Sequence, residues 1–123
     1  MRLSSFLLSA TAALLAGCMP GVCTEIGCED GLTVRFDAPP AGAFRMEAVV
    51  LNHGGEYAFD CPDATTCFTM FRGLVAERVT VRLMTPQGTF SREFRPRYRE
   101  VYPNGRRCPA ACRQATVTFP LPA

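Results

Sequence analysis

The sequence predicts an all-β sandwich of seven or eight short strands in a single domain. Three observations carry this expectation. Apolar and polar residues alternate with a period of two in successive short runs, the mark of half-buried strands. Turn-forming clusters separate the runs at spacings of roughly 8–12 residues, the rhythm of a sandwich. Ten Pro and ten Gly in 123 residues leave little room for long helices.

The runs follow in order. Leu32, Val34 and Phe36 alternate with Thr33 and Arg35, and Pro39-Pro40-Ala41-Gly42 ends the run. Phe44, Met46, Ala48 and Val50 alternate with Arg45, Glu47 and Val49. Asn52-His53-Gly54-Gly55 then reads as a tight hairpin turn leading to Tyr57 and Phe59. Phe68 and Met70 begin a fourth run, and Leu74 to Glu77 has room for one short turn. Val79, Val81 and Leu83 alternate with Arg78, Thr80 and Arg82, up to a second turn at Thr85-Pro86-Gln87-Gly88. Phe90 to Phe94 is a less regular sixth run, and Tyr98 to Tyr102 a seventh. After Pro103-Asn104-Gly105, Val117 and Phe119 alternate with Thr116 and Thr118 in the last.

The N-terminus has a different character. Met1-Arg2 is a short cationic start, and Leu3 to Leu15 is an uncharged run rich in Leu and Ala. A permanent membrane helix needs about 20 such residues, so this run has the length of a signal-peptide core. Leu15-Ala16-Gly17-Cys18 follows directly and resembles the lipobox of bacterial lipoproteins. The resemblance implies that Cys18 takes up diacylglycerol as a thioether and that the chain is cut between Gly17 and Cys18. Residues 1–17 are then a signal-peptide helix that is removed, 18–30 the lipidated Cys and a short tether, and 31–123 the sandwich. Several acyl chains on one Cys make such anchoring stable, at about 0.8 kcal/mol per buried methylene. Met19, not Asp, follows Cys18, a pattern that resembles outer-membrane sorting in enteric bacteria. The expected location is therefore the cell envelope, on the outer membrane facing the periplasm or the exterior.

Seven cysteines occur. Setting Cys18 aside leaves Cys23, Cys28, Cys61, Cys67, Cys108 and Cys112, an even number that in an exported chain implies disulfides. Six cysteines allow 15 connectivities. Their arrangement as three close couples predicts local pairs 23–28, 61–67 and 108–112. Metal binding would need C-x2-C spacing and histidine partners, and the chain has one His. No metal or cofactor is expected.

Composition removes several function classes. Formal net charge is +2, and losing Arg2 brings the mature chain close to neutral, which disfavours a nucleic-acid binder. Every cation is Arg; without Lys there is no lysine chemistry. His53 lies in a turn, with Glu56 or Asp60 as the acid that a general acid–base role would call on, and reads as a solvated turn residue. Asp60 and Asp63 flank Cys61 and read as turn-formers. No catalytic motif is present, so no catalytic residue and no enzyme activity is expected. The one marked charge feature is Arg92, Arg95, Arg97, Arg99, Arg106 and Arg107, among which Glu93 and Glu100 are the only acids. In a strand, Arg95, Arg97 and Arg99 project from one face as a candidate anion-contacting row. The same row would also guard a sheet edge.

The stretch Tyr98-x3-Tyr102-Pro103-Asn104-Gly105-x2-Cys108-x3-Cys112-Arg113-x-Ala115-x-Val117 resembles the C-terminal part of small proteobacterial lipoproteins with carboxypeptidase regulatory-like, or transthyretin-like, domains. It implies an antiparallel Ig-like or transthyretin-like β-sandwich, mostly non-catalytic. The expected function is a membrane-anchored binding or structural module of the envelope. Its partners would be the membrane, through Cys18, and an envelope protein or an anionic lipid or glycan. The alternative is an inhibitor or accessory subunit of a periplasmic enzyme, with a disulfide-pinned loop, 61–67 or 108–112, inserted in the partner's cleft.

Overall fold

The computed structural model describes residues 22–51 and 55–121. Eight strands form: β1 (Gly31–Phe36), β2 (Phe44–Val50), β3 (Glu56–Cys61), β4 (Met70–Arg72), β5 (Val79–Thr85), β6 (Gly88–Phe94), β7 (Arg99–Val101) and β8 (Cys112–Phe119). No helix occurs among the described residues. The strands make two four-stranded sheets, β4-β1-β8-β7 and β3-β2-β5-β6.

The alternation seen in the sequence is the inside–outside alternation of the sheets. On β2, Phe44, Met46, Ala48 and Val50 are buried, while Arg45 and Glu47 face outward and are only partly covered. Leu32 and Val34 of β1, Val79, Val81 and Leu83 of β5 and Phe119 of β8 have no accessible surface. Side chains from both sheets belong to one core, so the sheets pack face to face. Phe36 meets Phe44 edge-on at 5.5 Å between ring centroids, and Phe119 lies between Phe36 and Phe94 at 6.3 and 6.2 Å. Four rings from four strands thus close one end of the core.

Three details depart from the expectations. The sandwich is not wholly antiparallel. β1 and β8 pair in parallel from Gly31↔Gln114 to Phe36↔Phe119. They lie at opposite ends of the chain, so no hairpin sets their direction. The register aligns Leu32 with Ala115, Val34 with Val117 and Phe36 with Phe119, and each pair shares the core face. The fourth strand starts at Met70, leaving Phe68 67% exposed. The last starts at Cys112 and not at Thr116.

The turns differ as their sequences require. Thr85 pairs with Gly88, leaving Pro86-Gln87 as a two-residue connection. Pro86 fixes φ near −65° and so excludes the turns that need positive φ at that position. The positive φ falls instead on Gly88, at 144°. β2 and β3 do form a hairpin, but the pair Val49↔Glu56 leaves six residues between them, a wider connection than a tight turn.

Candidate anchoring and anion-contacting surface

Residues 22–30 run without turn or bend before β1. They are nevertheless fastened to the domain. Cys23 is bonded to Cys108, with Cα atoms 5.6 Å apart, and Cys28 to Cys112, at 5.7 Å. These two bonds replace the expected local pairs 23–28 and 108–112. The turnless path supplies the reason. Five extended steps separate Cα atoms by about 16 Å, and two cysteines more than about 7 Å apart cannot be bridged. The third bond, Cys61–Cys67, closes a short loop as expected, with Cα atoms 5.7 Å apart.

Asn104 completes the staple. Its Oδ1 accepts from Ile26 N–H at 2.9 Å and from the Thr24 hydroxyl at 2.6 Å. Its Nδ2 donates to Ile26 O at 2.9 Å and to Pro109 O at 3.2 Å. The amide thus treats Ile26 as a neighbouring strand would, and its hydrogen-bonding capacity is filled. Further along, Gln114 Nε2 donates to Glu29 O at 3.0 Å, and Arg113 N–H to Asp30 Oδ1 at 2.7 Å. Asn104 sits in a turn closed by Gly105 N–H to Tyr102 O at 3.1 Å. Pro103 occupies its second position and Gly105, at φ 93°, its fourth.

The arginine-rich stretch forms one side of the sandwich. β6 is the edge of one sheet and β7 the edge of the other. The connection 95–98 crosses between them. Arg95, Arg97 and Arg99 are exposed, while Pro96 and Tyr98 are half-buried. The alternation is as expected, but only Arg99 lies on a strand. Tyr98 pegs the crossing: its hydroxyl accepts from Ala76 N–H at 3.1 Å, and the Arg113 guanidinium lies 5.9 Å from its ring centroid. Burial pushes the Tyr98 phenol up from its ordinary value.

Arg92 aligns with Val81 and shares the core-facing row of β6 with Phe90 and Phe94, yet it is exposed. An inward charge on an edge strand opposes sheet-to-sheet pairing between molecules. Among the described residues Arg92, Arg95, Arg97, Arg99, Arg106 and Arg107 form no ion pair. The ion pairs lie elsewhere: Arg45 with Glu47 at 3.2 Å and Asp60 at 3.0 Å, Arg82 with Glu47 at 3.6 Å, Arg78 with Glu93 at 2.9 Å, and Arg72 with Glu29 at 3.6 Å. Both acids within the arginine stretch are engaged, Glu93 by Arg78 and Glu100 by the Tyr102 hydroxyl. The side therefore presents guanidinium groups whose donors face solvent, an arrangement suited to phosphate or carboxylate.

The 61–67 loop lies by β3 and β4, the edges opposite the arginine side. Asp63 organises it, with Oδ1 accepting Thr65 N–H at 2.9 Å and the Thr65 hydroxyl at 3.0 Å. The backbone bond from Thr65 holds the Asp63 carboxyl below its ordinary value. Asp63 is thus a turn-former, whereas Asp60 is an ion-pair partner of Arg45. Beside the loop a groove of about 460 Å³ opens between β3 and β4, lined by Tyr57, Phe59, Phe68 and Phe71.

Cys18, residues 1–17 and His53 lie outside the described residues. No described group of three or more His, Cys, Asp or Glu is placed to hold a metal ion. Asn104, Tyr98 and Arg113 were not singled out by the sequence as site residues. The Pro103-Asn104-Gly105 turn was visible, but the partner of Asn104 lies 78 residues away. No family model, no curated protein and no solved structure matches this chain.

Proposed function

We propose that the protein is an exported, lipid-anchored component of the cell envelope that acts as a non-catalytic binding or structural module. The observation that carries the reading is the cysteine account. Six of the seven cysteines are bonded to one another, which leaves Cys18, at the end of Leu15-Ala16-Gly17-Cys18, as the lipid acceptor. Three disulfides suit an oxidising compartment outside the cytosol. The unpaired guanidinium groups of the β6–β7 side are the surface that engages an anionic lipid or glycan or an acidic envelope protein.

The finer fold type in this reading is transthyretin-like. In the constant immunoglobulin arrangement the first and fourth strands flank the central pair of second and fifth. Here β3 and β6 flank β2 and β5.

The test is metabolic labelling with palmitate and fractionation of membranes. The wild-type chain takes the label and sediments with membranes, and Cys18→Ala does neither. A Cys18→Ala chain that keeps the label overturns the reading. For the surface, replacing Arg95, Arg97 and Arg99 with Gln weakens capture of anionic envelope components at low salt.

A second reading, an inhibitor or accessory subunit, draws on Phe68. It is 67% exposed beside a loop stiffened by Cys61–Cys67 and Asp63, the form of a rigid inserting loop. The 108–112 loop is instead bonded to the N-terminal segment at both of its cysteines. If Phe68→Ala abolished association with a co-purifying hydrolase, this second reading would replace the first.

A further inference from the structure

Lipid anchorage at Cys18 leaves open which part of the domain meets the membrane. The covalent path answers this. The described chain begins at Val22, which is 76% exposed. At the next residue Cys23 is bonded to Cys108, and Arg106 and Arg107 directly precede Cys108. Both are exposed and form no ion pair among the described residues. Ile26, 54% exposed, is held on the same segment by both polar atoms of the Asn104 amide. The point where the chain enters the domain therefore gathers two apolar side chains and two guanidinium groups.

Chain length limits how far this end can lie from the lipid. Four residues separate Cys18 from Cys23, and such a stretch spans at most about 18 Å fully extended. A domain of this size is wider than that, with a radius of gyration near 13 Å. The stapled end thus stays within reach of the headgroups however the domain turns. Its composition also fits that layer. Apolar side chains enter the headgroup boundary while arginines contact phosphate.

We infer that the Cys23–Cys108 staple sets the Val22, Ile26, Arg106 and Arg107 end of the sandwich against the anionic phospholipid headgroups of the leaflet that holds the lipid on Cys18. The inference rests on the anchored reading above. Each arginine near an anionic surface strengthens docking about fivefold, so the two together contribute about 25-fold.

The test uses the full lipidated chain in phosphatidylglycerol-containing vesicles and in pure phosphatidylcholine vesicles, with flotation and amide hydrogen exchange read on the same samples. The chain floats with both. Peptides covering 22–30 and 102–112 are protected on phosphatidylglycerol relative to phosphatidylcholine, and the 61–67 peptide is unchanged. Added salt removes the difference, and so does the double variant Arg106→Gln/Arg107→Gln, which still floats. A chain that floats but shows equal exchange on both vesicles, or protection at 61–67 instead, overturns the docking geometry. A chain that floats with neither overturns the anchor itself, and the docking with it.

Discussion

Removing the two long disulfides, singly and together, reads out the connectivity as a pattern of energies. Cys23–Cys108 and Cys28–Cys112 span 85 and 84 residues of sequence. In the chain-entropy account, closing a loop of that length removes about 4.6 kcal/mol of unfolded-state freedom. The two bonds are nested, however. With one in place the other closes only a small ring, residues 23–28 and 108–112 joined at both ends. A ring of about ten residues contributes about 2.8 kcal/mol. The variants Cys23→Ala/Cys108→Ala and Cys28→Ala/Cys112→Ala should therefore each lose about 3 kcal/mol, and the quadruple variant about 7 kcal/mol. The combined loss exceeds the sum of the separate ones, because only the quadruple variant frees the two ends of the chain. Against a typical stability of about 5–15 kcal/mol, the quadruple variant stands at the edge of unfolding. Equilibrium unfolding in urea without reductant measures the four proteins, and the slope should rise in the quadruple variant as its unfolded state expands. Separate small loops 23–28 and 108–112 would give another pattern: each double variant would break both of them and lose about 4 kcal/mol, the quadruple variant would lose no more, and that result would refute the nested staple.

Three further outcomes follow from single residues. Asn104→Ala removes four hydrogen bonds at a half-exposed site and should cost about 1–3 kcal/mol, read by thermal unfolding, with faster amide exchange confined to 22–30. An unchanged Ile26 amide would count against the clamp. Asp63 has a carboxyl lowered by the Thr65 bonds, so its contribution is present above the ordinary Asp value and is lost as pH falls through the lower folded value. Protection of the Thr65 amide should therefore fall below about pH 4 in the wild type, while Asp63→Asn, which keeps the Oδ1 acceptor, should show no such acid step. Phe119→Ala empties a site with no accessible surface between Phe36 and Phe94, and chemical denaturation should show a loss of about 3–5 kcal/mol.

The all-β class was legible because the information it needs is local. The apolar positions on either side of Arg45, Glu47 and Thr80 alternate within single strands, and that alternation survives in the burial of β1, β2 and β5. The arginine row was legible for the same reason, since Pro96 and Tyr98 alternate with it one residue at a time. What failed was inference from nearness in sequence and from a short resemblance. Cys23 and Cys28 look like a couple because they are close along the chain, and the wholly antiparallel sandwich was what the resemblance of residues 98–117 implied, which carries no information on how β1 pairs with β8.

The sequence alone determined the strand rhythm, the odd cysteine at position 18 and the clustering of arginine between residues 92 and 107. Each depends on residue identity and short spacing. Only the tertiary structure decided that β1 lies parallel to β8, that Cys23 and Cys28 reach across to Cys108 and Cys112, and that Asn104 clamps Ile26. These depend on which distant segments bury one another's surface. Over separations of about 80 residues the closure entropy grows only with the logarithm of length, so sequence distance discriminates weakly between partners. The geometry of the packed sheets makes the choice, and it brings the N-terminal segment and the arginine-bearing loop before β8 to the same end of the sandwich.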